Sequence, residues 1–196
     1  ITAMKKYIIS ISAAVCLAFS SCSDFLDVKP KTEVPTDDLF KKESGFEDAL
    51  NGCYIKMNSK NLYGKFLTLS GVDFLARYYD NTTEGTYEYA LSNFNWNNSY
   101  VKGQIKNTYN EFYNVILQAN DVIMHIDTET GKNAVKSEKK RNLLKGEALA
   151  MRAFLHFDIL RLFGQLPKNP TIQVSLPYSE VTGIEDRPLY GFDEYV

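Results

Sequence analysis

The chain carries 22 Lys and Arg against 24 Asp and Glu over 196 residues, a formal net charge of −2, with 13% aromatic residues. That balance, with no basic stripe, speaks against nucleic-acid binding, whose affinity comes first from cations placed on phosphates. Once a leader carrying Cys16 and an acylated Cys22 are set aside, as argued below, Cys53 is left with His125 and His156 as the only histidines, too few for a thiolate metal centre, and no cofactor is implied.

Residues 1–21 read as an export leader, with three non-native residues ahead of Met4. Lys5 and Lys6 precede a largely apolar run from Tyr7 to Phe19, and the small residues Ser20 and Ser21 stand directly before Cys22. The run is about 13 residues long, whereas a bilayer-spanning helix needs about 20. A small-residue pair followed by Cys is the pattern that bacterial lipoprotein processing uses, so Cys22 is expected to carry lipid. Stable anchoring takes two or more acyl chains, which a multiply acylated cysteine supplies. The alternative is an ordinary leader cleaved near Ser21, leaving Cys22 a thiol. Cys16 departs with the leader in either case. With Cys22 acylated, Cys53 is the one thiol left and no internal disulfide forms.

Residues 22–35 are expected to be a lipidated tether, because Asp24, Asp27, Pro30 and Pro35 interrupt any helical pattern. Residues 36–196 then form a helical domain. Thr36, Asp37, Asp38, Leu39 and Phe40 suggest a single capped turn. Ser44 and Glu47 form a capping box ahead of Phe46, Leu50, Cys53 and Met57, whose spacing predicts a helix from Gly45 to about Asn58 with Cys53 in the core. A short helix is expected around Phe66 to Ala76, followed by irregular loops as far as Asn98. Next comes the clearest helix, in which Ile105, Tyr109, Phe112, Tyr113, Ile116, Asn120 and Ile123 recur at three- and four-residue steps. Asn120 on that stripe needs hydrogen-bond partners if it is buried.

A linker from Thr128 to Val135 leads to a second long helix, capped by Ser137 and ending near Phe163 at Gly164. Leu144, Ala148, Met151, Leu155 and Leu162 line one side of it. Leu143, Ala150, Ala153, Phe154, Phe157 and Leu160 cover much of the rest, so the helix is expected to be packed between neighbours. Two such helices joined by a short linker predict an antiparallel hairpin. The segment from Pro170 to Pro188 reads as extended. A helix begins at Phe192, and its lack of any expected partner suggests a chain truncated at its C-terminus.

In order, these features resemble the amino-terminal region of the SusD/RagB family. The resemblance runs from Cys22, Asp24, Phe25, Leu26, Asp27 and Pro30, through Gly45 to Tyr54, to Tyr113, Ile116, Ala119 and Asn120. Its most specific stretch is Gly146, Glu147, Ala148, Arg152, Ala153, Phe154, Phe157 and Asp158, followed by Leu162 to Gly164. Arg187, Pro188, Tyr190, Phe192, Glu194 and Tyr195 close it. Tyr109, Leu155 and His156 depart from the family's usual residues, all at packing positions. The resemblance implies an all-α fold of tetratricopeptide-type stacked hairpins with long irregular loops. It also implies a surface lipoprotein held in the outer membrane through Cys22. Such a protein captures an oligosaccharide or peptide for a SusC-type, TonB-dependent transporter and performs no chemistry itself.

Sugar rings are held by stacking on flat aromatic side chains while amides, carboxylates and guanidinium groups bond their hydroxyls. The segment from Arg77 to Tyr100 has that composition. Its candidate ligand-binding residues are Trp96, the only Trp, with Asn98, Arg77, Asp80, Asn81 and Tyr89. The competing reading puts Trp96 in the core and the asparagines in turns. Glu147 and Arg152 are five apart and share no helix face, so they read as structural ion-pairing groups. Asp158 and Arg161 are spaced to pair. His125 and His156 lack the neighbours of a triad or metal motif and read as surface or packing residues. Against the binding reading stand a glycoside hydrolase with its two carboxylates beyond this sequence, and a scaffold lipoprotein that binds nothing.

Overall fold

The computed structural model describes residues 35–80, 83–165, 173–183 and 186–195. The leader, Cys22 and nearly all of the tether therefore lie outside the described residues. The chain divides into two units after Asp38. Of the first, the description covers only residues 35–38, which begin the single turn α1 (Thr36–Leu39).

The second unit is built on three longer helices, α2 (Glu43–Met57), α6 (Ser99–Ile126) and α8 (Glu138–Phe163). Between them lie the short turns α3 (Phe66–Leu69), α4 (Gly71–Leu75), α5 (Tyr87–Ser92) and α7 (Glu129–Ala134). Strands β1 (Leu176–Pro177) and β2 (Leu189–Tyr190) pair antiparallel before the last turn, α9 (Phe192–Tyr195). The described residues are thus mainly helical, as an all-α fold requires.

Helix α6 is the spine. Its 28 residues span about 42 Å at 1.5 Å per residue, and it contributes to three apolar clusters in turn. Val101 joins Phe66, Ala90 and Leu91; Phe112, Val115, Ile116 and Ala119 join Cys53, Met151, Leu155 and Ile159; Val122 and Ile126 join Phe40, Phe46, Leu50, Leu144 and Ala148. Helix α8 returns antiparallel to it. Tyr109 meets Phe163 with ring centroids 5.1 Å apart, Asn120 meets Arg152 at 3.1 Å, and Asp127 pairs with Lys145.

Asn120 is fully buried, and its demand for partners is met. Its amide nitrogen donates to the carbonyls of Ser179 and Val181, and its oxygen accepts from Arg152. Arg152 also donates to the Glu180 carbonyl, Tyr113 to the Pro177 carbonyl, and His156 Nε2 lies 3.3 Å from the Ser179 oxygen. Residues 177–181 are thereby strapped across the α6–α8 pair through their backbone. His156 Nδ1 lies 2.6 Å from the Tyr195 hydroxyl, and its ring stacks on Tyr178 with centroids 4.3 Å apart.

Several expectations are corrected. Helix α2 starts at Glu43 with Lys42 at the cap position and no side-chain cap, so Ser44 and Glu47 form no capping box. Glu47 instead pairs with Lys140 at 2.5 Å. The entry is set by close packing: a Cβ on Gly45 would fall 1.8 Å from the Leu39 carbonyl oxygen. The expected short helix around Phe66 is two turns, α3 and α4, broken at Ser70. Helix α5 occupies sequence read as loop, and α7 occupies the linker, each started by a threonine, Thr86 or Thr128, that caps its first turn. On α6 the buried line is Val101, Thr108, Phe112, Val115, Ala119, Val122 and Ile126, so Ile105, Tyr109 and Ile123 lie at its flanks.

Helix α8 is not enclosed on all sides among the described residues. Leu143, Phe154 and Phe157 are 61%, 47% and 54% exposed, because α2 and α6 cover only the opposite face. The last turn does have a partner, since Tyr195 is buried against His156.

Other expectations hold. Cys53 is fully buried, and desolvation raises its thiol to about 11. Asp158 pairs with Arg161 at 3.3 Å while accepting from Tyr63, and Arg152 pairs with Glu180 at 3.6 Å, whereas Glu147 accepts a hydrogen bond from Tyr54 of the neighbouring α2 at 2.8 Å in place of the expected ion pair. His125 stacks on Phe40 with centroids 4.4 Å apart.

Candidate functional site

The loop after α4 and the loop before α6 meet at a pair of residues in an uncommon backbone conformation. Arg77 and Phe94 have φ of 57° and 54°, the left-handed region that non-glycine residues avoid. Each such residue costs on the order of 1–3 kcal/mol, which persists where the surroundings enforce it. The enforcement is visible. Arg77 Nε donates to the Ser92 carbonyl at 3.1 Å, and the guanidinium carbon sits 5.1 Å from the Phe94 ring centroid.

Phe94 in turn lies against Trp96, with ring centroids 5.9 Å apart. Trp96 is 47% exposed and Phe94 44%, so Trp96 is a surface residue and does not plug the core. Arg77, Phe94 and Trp96 together form an open platform of three flat groups. Phe94 was not singled out in the sequence, where one Phe among asparagines carries no sign of a positive φ.

The asparagines have structural work. Asn98 caps α6, its side-chain oxygen accepting from the amides of Tyr100 at 2.9 Å and Val101 at 3.3 Å. Asn95 accepts from the Asn97 amide, and Asn93 donates to the Tyr89 carbonyl. The turn reading thus describes the asparagines and the surface reading describes Trp96. Tyr89 sits half-buried on α5, where Thr86 caps its amide. Asp80 is exposed, and Asn81 lies outside the described residues.

Residues of α3, α4, α5 and the first turns of α6 line an open cavity of about 520 Å³. Phe74, Tyr87 and Tyr100 give it aromatic walls, and Lys65, Ser70, Glu88 and Gln104 supply polar groups. Arg77 stands three positions after Phe74, and Tyr100 four after Trp96. Chain geometry therefore keeps these pairs of Cα atoms within about 11 Å and about 14 Å of one another. Gln104 donates to Asn61 and Thr108, both at 3.2 Å, which fixes the orientation of its amide.

The hydroxyl of Tyr87 is buried without a hydrogen-bond partner. Desolvation, with the Glu88 carboxylate adding to it, pushes this phenol up to about 12. Nothing in the sequence marks such a group, because satisfaction is a property of the packed structure.

Among the described residues, no three His, Cys, Asp or Glu are grouped to hold a metal, and no helix is long and apolar enough to cross a membrane.

Comparison with known proteins identifies the family. The model of a SusD-like family described as "Starch-binding associating with outer membrane" matches residues 24–184. SusD-like protein P2 of Formosa agariphila is 28% identical over 166 residues, which are 84% of this chain and 31% of the relative. SusD-like protein P25 of the same organism is 27% identical over 165 residues, 81% of this chain and 31% of that protein. The chain spans about a third of the length of these curated relatives. No solved structure matches it significantly. With the family model matching across most of its length, from the residues just after Cys22 to the strap over α6 and α8, this chain belongs to the SusD-like family.

Proposed function

We propose that this chain is the amino-terminal part of a lipid-anchored binding protein of the outer membrane. It captures glycan at the cell surface and passes it to a TonB-dependent transporter of the SusC type, without chemistry of its own. The observation that carries the reading is the exposed Arg77, Phe94 and Trp96 platform in a chain whose family is described as starch-binding. Its flat faces suit the C–H faces of sugar rings. The positive φ of Arg77 and Phe94 ends α4 and α5, where the amides of Tyr78 and Asn95 reach back to the carbonyls of Asp73 and Ala90, so two helix ends hold the platform in place.

The deciding experiment is a titration of the full-length mature protein, with Cys22→Ser for solubility, against oligosaccharides and peptides. Saturable glycan binding that weakens at least tenfold in Trp96→Ala supports capture at this surface. Binding of no member of the panel favours the scaffold reading, and steady release of shortened glycan overturns the non-enzymatic one. Lipid on Cys22 is tested separately by the mass of the mature N-terminal peptide, which an acyl-free thiol would contradict. Co-purification with a TonB-dependent barrel tests the partner.

A further inference from the structure

The outward arc of α8 is apolar where a helix facing water is polar. Leu143, Leu149, Phe154 and Phe157 stand on it, with Gly146, Ala150 and Ala153 between them, and all seven are exposed. At about 100° per residue they fall within about 140° of the helix surface and along about 21 Å of its length. No polar side chain of that stretch shares the arc. The polar groups turn to neighbours within the fold instead: Lys145 pairs with Asp127, Glu147 accepts from Tyr54, Arg152 donates to Asn120, and His156 meets the Tyr195 hydroxyl. A helix with one face in solvent shows the opposite order, and contiguous apolar surface of this kind marks an interaction site.

We propose that this arc is an interface inside the full-length protein, covered by an amphipathic helix from the polypeptide that follows Val196. The proposal rests on the reading of this chain as the amino-terminal part of a longer protein, and does not depend on glycan capture.

Three observations select that occupant. The part matched is 31% of each curated relative, so about two thirds of those proteins lies outside it and is available to pack against it. The end of the described chain is also well placed. The turn α9 brings Tyr195 to His156, the residue before Phe157, so the backbone beyond Tyr195 sets out from one edge of the arc. Tyr63 bounds the other edge, its ring centroid 5.4 Å from that of Phe154.

The third observation is the relief of the arc. Gly146, Ala150 and Ala153 make a low floor between larger side chains, and a Cβ added at Gly146 would meet nothing within 4 Å. Such a floor admits a second helix at the near end of the usual axis separation of about 8–10 Å. The covering helix presents large apolar side chains to it at three- and four-residue steps.

The experiment uses the full-length mature protein with Cys22→Ser, in which Cys53 is buried. Ala150→Cys and Ala153→Cys are made separately, with Glu129→Cys on the exposed side of α7 as the open reference. Maleimide labelling is followed peptide by peptide by mass spectrometry, on samples that sediment as monomers. The expected result is labelling of the two α8 thiols at least a hundredfold slower than the reference. A benzophenone amino acid at Leu143 is then expected to cross-link, on irradiation, to a peptide beyond Val196. Either α8 variant suffices if the other does not fold. Labelling of both as fast as the reference overturns the proposal, and so does a cross-link confined to residues before Val196 or to a second copy. An intact mass showing that the mature protein ends at Val196 overturns the longer-protein reading as well, whereas fast labelling in a longer chain overturns this proposal alone.

Discussion

His156 shows how one buried ring governs the tail. It is 3% exposed, stacked on Tyr178 and bonded to Tyr195, and desolvation, against the Ser179 hydrogen bond and with Arg152 nearby, lowers its pKa to about 4. In the unfolded chain the imidazole titrates near 6.5. The folded pKa is the lower of the two, so the unfolded state takes up the proton first. Stability is then full above the unfolded value and declines as pH falls toward about 4. Between pH 7 and pH 5 this group alone removes about 2 kcal/mol. Urea titrations at both pH values are expected to show that loss in the parent and a much smaller one in His156→Gln. An equal pH dependence in the two proteins would place the titrating group elsewhere. The sequence identified His156 as a packing residue, since no triad or metal partner stands near it. Its hydroxyl partner could not be read there, because Tyr195 lies 39 positions further on.

At the scale of elements, length decides what a sequence reveals. Helices α6 and α8 repeat their apolar pattern over seven turns each, and the limits and capping residue of α8 stand in the sequence. Helices α5 and α7 have six residues each, under two turns, which is too short for a period to show, so each was read as loop. The same limit explains the site. The platform's composition was legible, but its assembly depends on where α4 and α5 end. Asn98, a candidate ligand contact by composition, also has a structural role that composition does not show: its side-chain oxygen caps α6. Asn98→Ala is expected to destabilise the protein by about 1 kcal/mol in urea titrations, and Asn98→Ser is expected to restore most of that loss. Glycan affinity that falls in Asn98→Ala and returns in Asn98→Ser then reports the cap, because a direct amide contact would stay lost in the serine variant.

For the molecule as a whole, α6 sets the order of stability, since all three apolar clusters include it. Amides from Phe112 to Val122 are expected to exchange with solvent only on global unfolding, and those of residues 83–98 through cheaper local openings. Native-state hydrogen exchange checks this, and uniform protection across both segments would contradict it. The strap over α6 and α8 has a different logic. Tyr113, Asn120 and Arg152 bond the carbonyls of residues 177–181, and His156 meets the Ser179 carbonyl. Every residue has a carbonyl, so these helices dictate the strap's course while placing little demand on its spelling. Ser179, 1% exposed, and Gly183, at φ 99°, are constrained by space and backbone. From Glu180 to Thr182 the side chains add only an ion pair to Arg152 at 3.6 Å and a hydroxyl contact to Met124, so the scaffold can keep its shape while that outward-facing text is rewritten at small cost.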